Sequence, residues 1–160
     1  MERGAWSVEG GAGRVERGAW REVFCGLERR EEVMAAKDFR ELRVYQFAFE
    51  SAVRIYELTK EFPAEERYSL SDQIRSSSRS VCANIAEAWR KRRYPKSFVS
   101  KLSDADAEAA ETQVWLDFAA HFGYLSGELY DQLVDRYDHT CSQLSIMMSQ
   151  PQKWAPRKVE

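Results

Sequence analysis

Beyond residue 34, apolar side chains recur at alternating spacings of four and three, the period of an amphipathic α-helix rather than the every-second-residue alternation of a strand. Pro63, Pro95, Gly123 and Gly127 interrupt that pattern, and Pro151 and Pro156 close it. The breaks predict four helices, over about 38–61, 69–93, 97–121 and 127–149, joined by links short enough to make neighbours antiparallel. Start signals agree. Ser69 with Asp72 resembles a capping box, Ser97 precedes an apolar run, and Ser126 stands before Glu128 and Leu129,. Gly123 is placed to end the third helix in a left-handed C-cap, with Tyr124 and Leu125 free to pack back,. The fold expected is all-α, an antiparallel up-down four-helix bundle.

The seams divide the helices by role. The second helix carries Leu70, Ile74, Ser77, Val81, Asn84 and Ala88, the third Phe98, Leu102, Ala105, Ala109, Thr112, Leu116 and Ala119. Small side chains fill the middle of both, which suggests close helix approach. The fourth offers a broad face of Leu129, Leu133, Thr140, Leu144 and Met147, flanked by Tyr130, Val134, Tyr137, Cys141 and Met148. The first has two apolar seams. One is Leu42, Tyr45, Phe49, Ala52 and Tyr56; the other, nearly opposite, is Val44, Ala48, Ser51, Ile55, Leu58 and Phe62. A bundle buries one face of each helix, so the second seam asks for a partner, most simply a second copy. Val44, Ala48, Ile55, Leu58 and Phe62 are therefore the expected homo-oligomer interface, the alternative being a helix sunk deep in its own bundle.

Composition narrows the class. The 160 residues are 44% hydrophobic and 31% charged, values of an ordinary globular chain, with no apolar run approaching the ~20 residues of a spanning helix. Lys+Arg total 24 against 26 Asp+Glu, so nucleic-acid binding has to rest on local clustering. Six of the eight glycines lie before residue 30. That segment shows no sustained period and repeats Glu-Arg-Gly-Ala-Trp at 2–6 and 16–20. Residues 1–33 are read as a disordered or non-native N-terminal extension ahead of Met34, 38–149 as the bundle, and 150–160 as a tail.

Candidate chemistry is sparse. Cys25, Cys82 and Cys141 are far apart, without C-x-x-C spacing, which favours reduced, structural thiols,. A di-metal carboxylate site needs Glu-x-x-His, but Phe118 precedes His121 and Arg136 precedes His139 at that spacing,. No phosphate loop or nucleophile-elbow motif occurs, so the reading is non-enzymatic with no cofactor and no metal. Two features rise above this background. Arg90, Lys91, Arg92, Arg93 and Lys96 surround Tyr94 at the end of the second helix, with Arg75 and Arg79 earlier on it. Such a cluster can bind phosphates beside an aromatic ring, or can simply complement the helix dipole. Asn84 and Glu87 place an amide on the seam of the second helix and a carboxylate one turn on, an arrangement that fixes register or oligomer state by demanding a hydrogen-bond partner for Asn84, which Glu87 or a neighbouring subunit could supply,.

The stretches Phe39-Arg-Glu-Leu42-Arg-Val44-Tyr45-Gln46, Phe62-Pro63 with Glu66-Arg67-Tyr68, Leu70 and Gln73-Ile74-Arg75, and Ser80-Val81 with Asn84-Ile85-Ala86-Glu87 occur in that order. Together they resemble the four-helix-bundle proteins encoded in bacterial 23S rRNA intervening sequences, a family related to accessory variability proteins of diversity-generating retroelements. The resemblance spans about 38–149. It implies a homopentameric ring with a positive surface that, in retroelement members, binds nucleic acid and a reverse transcriptase. Where the family pattern has glycines after Asn-Ile-Ala-Glu, this chain has Ala88 and Arg90. The combined expectation is a cytoplasmic homo-oligomeric scaffold that binds RNA or DNA through Arg75, Arg79, Arg90, Lys91, Arg92, Arg93 and Lys96, with no membrane association. The competing expectation is a protein-interaction scaffold using the apolar faces of the first and fourth helices.

Overall fold

A computed structural model describes residues 36–156, and the 1–33 extension, Cys25 and the last four residues of the tail lie outside them. Four helices follow one another: α1 (Arg43–Thr59), α2 (Leu70–Lys91), α3 (Pro95–His121) and α4 (Gly127–Ser149). Short 3-10 turns at Phe39–Glu41, Ala64–Glu66 and Pro151–Trp154 complete the described chain. Each helix packs on its chain neighbours and α4 closes onto α1, leaving α1 and α3 at opposite corners. Cross-helix contacts run in opposite directions throughout. Arg75 of α2 meets Thr59 of α1, Lys101 of α3 meets Glu87 of α2, and Asp138 and Asp117 bond with residues 113 and 130 across α3 and α4. The up-down antiparallel bundle follows.

Helix ends show how local chemistry sets these limits. α1 starts later than its periodicity suggests, because Leu42 is extended and Asp38 instead caps the 3-10 turn through the Arg40 backbone N–H. Ser69 makes no cap hydrogen bond to α2. It donates to Glu66, whose carboxylate also takes the Leu70 N–H, so the capping acceptor comes from the preceding turn. Ser97 lies within α3, which opens at Pro95 after an extended Tyr94, the position where proline's missing N–H costs nothing. Ser126 does cap α4, accepting from the Leu129 N–H. Gly123 sits at φ +77, with its N–H on Ala120 and the Tyr124 N–H on Ala119, a Schellman ending.

The core is continuous. Phe98, Leu102, Ala105, Ala109, Leu116 and Ala119 are fully buried on α3, as are Val81, Ile85 and Ala88 on α2; burying a large side chain is worth about 1.5–3 kcal/mol. The small-residue middles do meet: Thr112 Oγ1 lies 2.9 Å from Ser77 Oγ, both buried. One expectation is corrected here. Val44, Ala48, Ile55 and Phe62 are between 0% and 8% exposed within the single chain, and Leu58 packs against the same core. They are core and cannot form an interface with a second copy. Small Ala48 and Ser51 let this side of α1 settle inward, and Arg136 of α4 locks it there, bonding Ser51 Oγ at 2.8 Å and Glu50 at 2.9 Å. The other seam is divided: Leu42 and Ala52 are buried with the core, whereas Phe49 at 51% and Tyr56 at 42% stand exposed, with Val53 beside them at 47%.

Candidate nucleic-acid interface

The seven basic residues do not form one surface. Arg75 and Arg79 lie 11 to 15 residues before Arg90 on α2, about 16–22 Å at 1.5 Å per residue. Both turn toward α1. Arg75 Nε donates to Thr59 Oγ1 at 2.7 Å, and the guanidinium groups stand 5.0 Å and 6.0 Å from the Tyr56 ring. Arg75 is thus a partly committed cation–π partner rather than a loose phosphate ligand.

The second cluster is different. At the end of α2, Arg90, Lys91, Arg93, Tyr94 and Lys96 are all exposed, Tyr94 at 64%. Arg92 is the exception. Its Nη1 donates to the Trp89 carbonyl at 2.6 Å and its guanidinium lies 3.8 Å from the buried Trp89 ring. Burial, then repulsion from Arg90 and Arg93, lowers its pKa below the usual arginine value. It satisfies a carbonyl of the last helical turn, as cations at a helix C-terminus do, and thereby seats the loop.

The fold adds charges that linear clustering does not reveal. Asp38 in the first turn feels Arg90 electrostatically, although the N–H of Arg40 is what chiefly holds its carboxyl below the usual range. That places Arg40, stacked 4.3 Å over Phe39, at the same end of the bundle. The turn after α4 packs there too, Trp154 lying 6.4 Å from Phe98, which brings Lys153 to the α3 start. An open groove of about 500 Å³ runs between Pro95, Lys96, Val99, Ser100, Ser103 and Pro151. A sequence signal existed for these additions only in the bundle topology, since antiparallel helices put the start of α1 and the end of α4 beside the α2–α3 link.

Asn84 and Glu87 find their partner within the chain. Lys101 of α3 donates to Asn84 Oδ1 at 3.4 Å and pairs with Glu87 at 3.0 Å and Asp104 at 3.2 Å. The Glu87 and Asp104 contacts raise its pKa. This network links α2 to α3 at the edge of the seam, where Asn84 is half-buried, and the partner Asn84 meets is Lys101 rather than Glu87.

Both described thiols are held protonated. Burial pushes the Cys82 thiol to about 11, and burial followed by the Asp106 carboxylate pushes Cys141 to about 12, far from the thiolate that reactivity needs. Among the described residues, no group of three His, Cys, Asp or Glu side chains is arranged to hold a metal ion, and no helix is long and apolar enough to cross a membrane.

Residues 40–146 match the family described as 23S rRNA-intervening sequence protein. A crystal structure of a protein with unknown function from the S23 ribosomal protein family of Bacteroides thetaiotaomicron superposes with a TM-score of 0.61 at 31% identity, covering 66% of this chain and 95% of that one. No curated protein matches the sequence.

Proposed function

The chain belongs to the 23S rRNA-intervening sequence protein family, and from that premise we propose that it is a non-catalytic, homo-oligomeric scaffold that binds structured RNA or DNA through the basic end of its bundle. One observation carries the reading: Arg90, Lys91, Arg93 and Lys96 stand exposed around an exposed Tyr94, with Arg40 and Lys153 brought alongside by the fold. Phosphate binding needs mobile, solvated cations whose counterions are released on contact, and an open ring beside them offers a stacking surface for an unpaired base. Arg92 serves as the seat of this loop. Arg75 and Arg79 belong to the face of α1. The unpaired described thiols fit a reducing compartment, and the reading is cytoplasmic.

A second reading, a scaffold that recruits another protein and leaves nucleic acid alone, is favoured by the exposed Phe49, Val53 and Tyr56 on α1. The two separate on one experiment. Reversing Arg90, Lys91 and Arg93 to Glu, with Arg92 kept to preserve the loop, should weaken binding of a structured RNA about a hundredfold or more at low salt and flatten the log–log salt slope by about three. Circular dichroism melting should stay within a few degrees of the parent. Fluorescence anisotropy showing equal affinity for both proteins would remove the basic end as the site, and no binding by the parent at low salt would leave the second reading.

A further inference from the structure

We propose that the groove beside the basic end of the bundle is a seat for one unpaired nucleobase, so that nucleic acid is held there at a single-stranded stretch rather than along a duplex. The inference rests on the nucleic-acid part of the reading above and says which feature of the polymer is recognised. The groove of about 500 Å³ is lined by Pro95, Lys96, Val99, Ser100, Ser103 and Pro151. Those at 96, 99, 100 and 103 have the spacing of one helix face on α3. The opposite wall is the turn Pro151–Trp154, held against the bundle by Trp154, whose ring lies 6.4 Å from that of the fully buried Phe98. Both walls belong to packed elements, so the opening is preformed, as small-ligand sites usually are.

The lining selects the occupant. Pro95, Val99 and Pro151 give an apolar surface suited to the flat face of a ring. Ser100 and Ser103 are exposed, and among the described residues neither hydroxyl is spent on a carbonyl of its own helix, as those of Ser51, Ser77, Ser78 and Ser149 are. Each is left able to donate to or accept from a base edge. Lys96 stands in one wall, Arg93 and Tyr94 just precede Pro95, and Lys153 follows Pro151 on the other side, all of them exposed. The carboxylates next along α3 are occupied, Asp104 by Lys101 and Asp106 by the Cys141 thiol. An apolar floor with free hydroxyls and a positive rim matches a nucleotide, a flat ring joined to an anion. The volume falls in the range of about 300–1,000 Å³ that holds small organic ligands. A paired base is covered on both faces by its neighbours in the stack and reaches such a seat only by leaving the helix.

The test uses the full chain and two probes, a short oligothymidine, which has no structure of its own, and a blunt DNA duplex of the same length. Ser100→Leu combined with Ser103→Leu fills the groove from an exposed helix face and leaves every charge in place. By fluorescence anisotropy at low salt it should weaken oligothymidine binding roughly 5- to 100-fold, the effect of losing one base contact. Duplex affinity should stay within about twofold and the salt slope for both probes should not change. Circular dichroism confirms folding, and Ser100→Gln with Ser103→Gln repeats the block should the leucine pair misfold. Oligothymidine affinity that does not fall overturns the base seat and leaves the basic end standing as a phosphate surface. An equal loss on both probes overturns it too, since the groove would then act through the phosphate contacts. A parent that binds neither probe removes the nucleic-acid reading as well.

Discussion

Tyr137 is fully buried on α4, and among the described residues its hydroxyl is the buried side-chain polar atom without a hydrogen bond. It lies beside Thr112, whose hydroxyl donates toward Ser77 Oγ and the Glu108 carbonyl and does not meet the phenol in hydrogen-bond geometry. Burial drives the Tyr137 pKa well above its usual value, as expected of a phenol held in an apolar interior. A buried donor without a partner costs about 1–3 kcal/mol, while the ring itself fills the core. Tyr137→Phe should therefore raise unfolding stability by about 1 kcal/mol, seen as a higher urea midpoint at unchanged slope. A loss of that size instead would mean the hydroxyl is bonded in solution. Periodicity alone places Tyr137 on the fourth helix's apolar face, but no count of spacings reveals that its hydroxyl meets no partner there. Arg92 teaches the same lesson. In sequence it is one of four cations in a row; only the fold shows it stacked on Trp89 and serving the helix end.

The four helices are legible because each is bounded by residues with one physical meaning: proline where the ladder must stop, glycine where the backbone turns left-handed. What is not legible is which of two apolar stripes turns inward. On α1 both stripes have the same period and both contribute buried residues, Leu42 and Ala52 among them, so the decision at the remaining positions falls to size. Ala48 and Ser51 permit close approach, while Tyr45 and Tyr56 can leave a hydroxyl in water and tolerate the outside. Caps depend on the fold for a related reason. Any Ser can cap, and whether Ser69 does so depends on Glu66, which also accepts from Tyr124 Oη at 3.1 Å and so ties the α1–α2 link to the α3–α4 link. The two glycines of that second link have opposite roles. A Cβ on either meets nothing within 4 Å, so only backbone preference matters. Gly123→Ala should cost about 1–2 kcal/mol, because φ +77 is the left-handed region that alanine resists. Gly127→Ala, at the first position of α4, should stabilise by about 0.5–1 kcal/mol. Thermal melts of the two variants moving in the same direction would refute this assignment.

At the scale of the whole molecule, near-neutrality conceals a division. The total of 24 basic and 26 acidic residues points to no polyanion, yet the basic residues gather on α2 and at one end of the bundle, and α3 and α4 are acidic. The α4 acids Glu128, Asp131 and Asp135 are exposed and lie near its start, while Lys153 and the basic end lie beyond its finish. At 1.5 Å per residue the separation is about 25–35 Å. That exceeds the ~8 Å screening length at physiological salt and matches the ~30 Å length at 0.01 M. The two poles therefore act independently under physiological conditions and feel one another only in dilute buffer. Replacing Glu128 with Gln and Asp131 and Asp135 with Asn should leave nucleic-acid affinity unchanged at 0.15 M salt. At 0.01 M it should rise roughly two- to fourfold, as the field repelling the polyanion is removed. An equal rise at both salt concentrations would place α4 in contact with the nucleic acid itself, and would move the binding surface from the end of the bundle to its side.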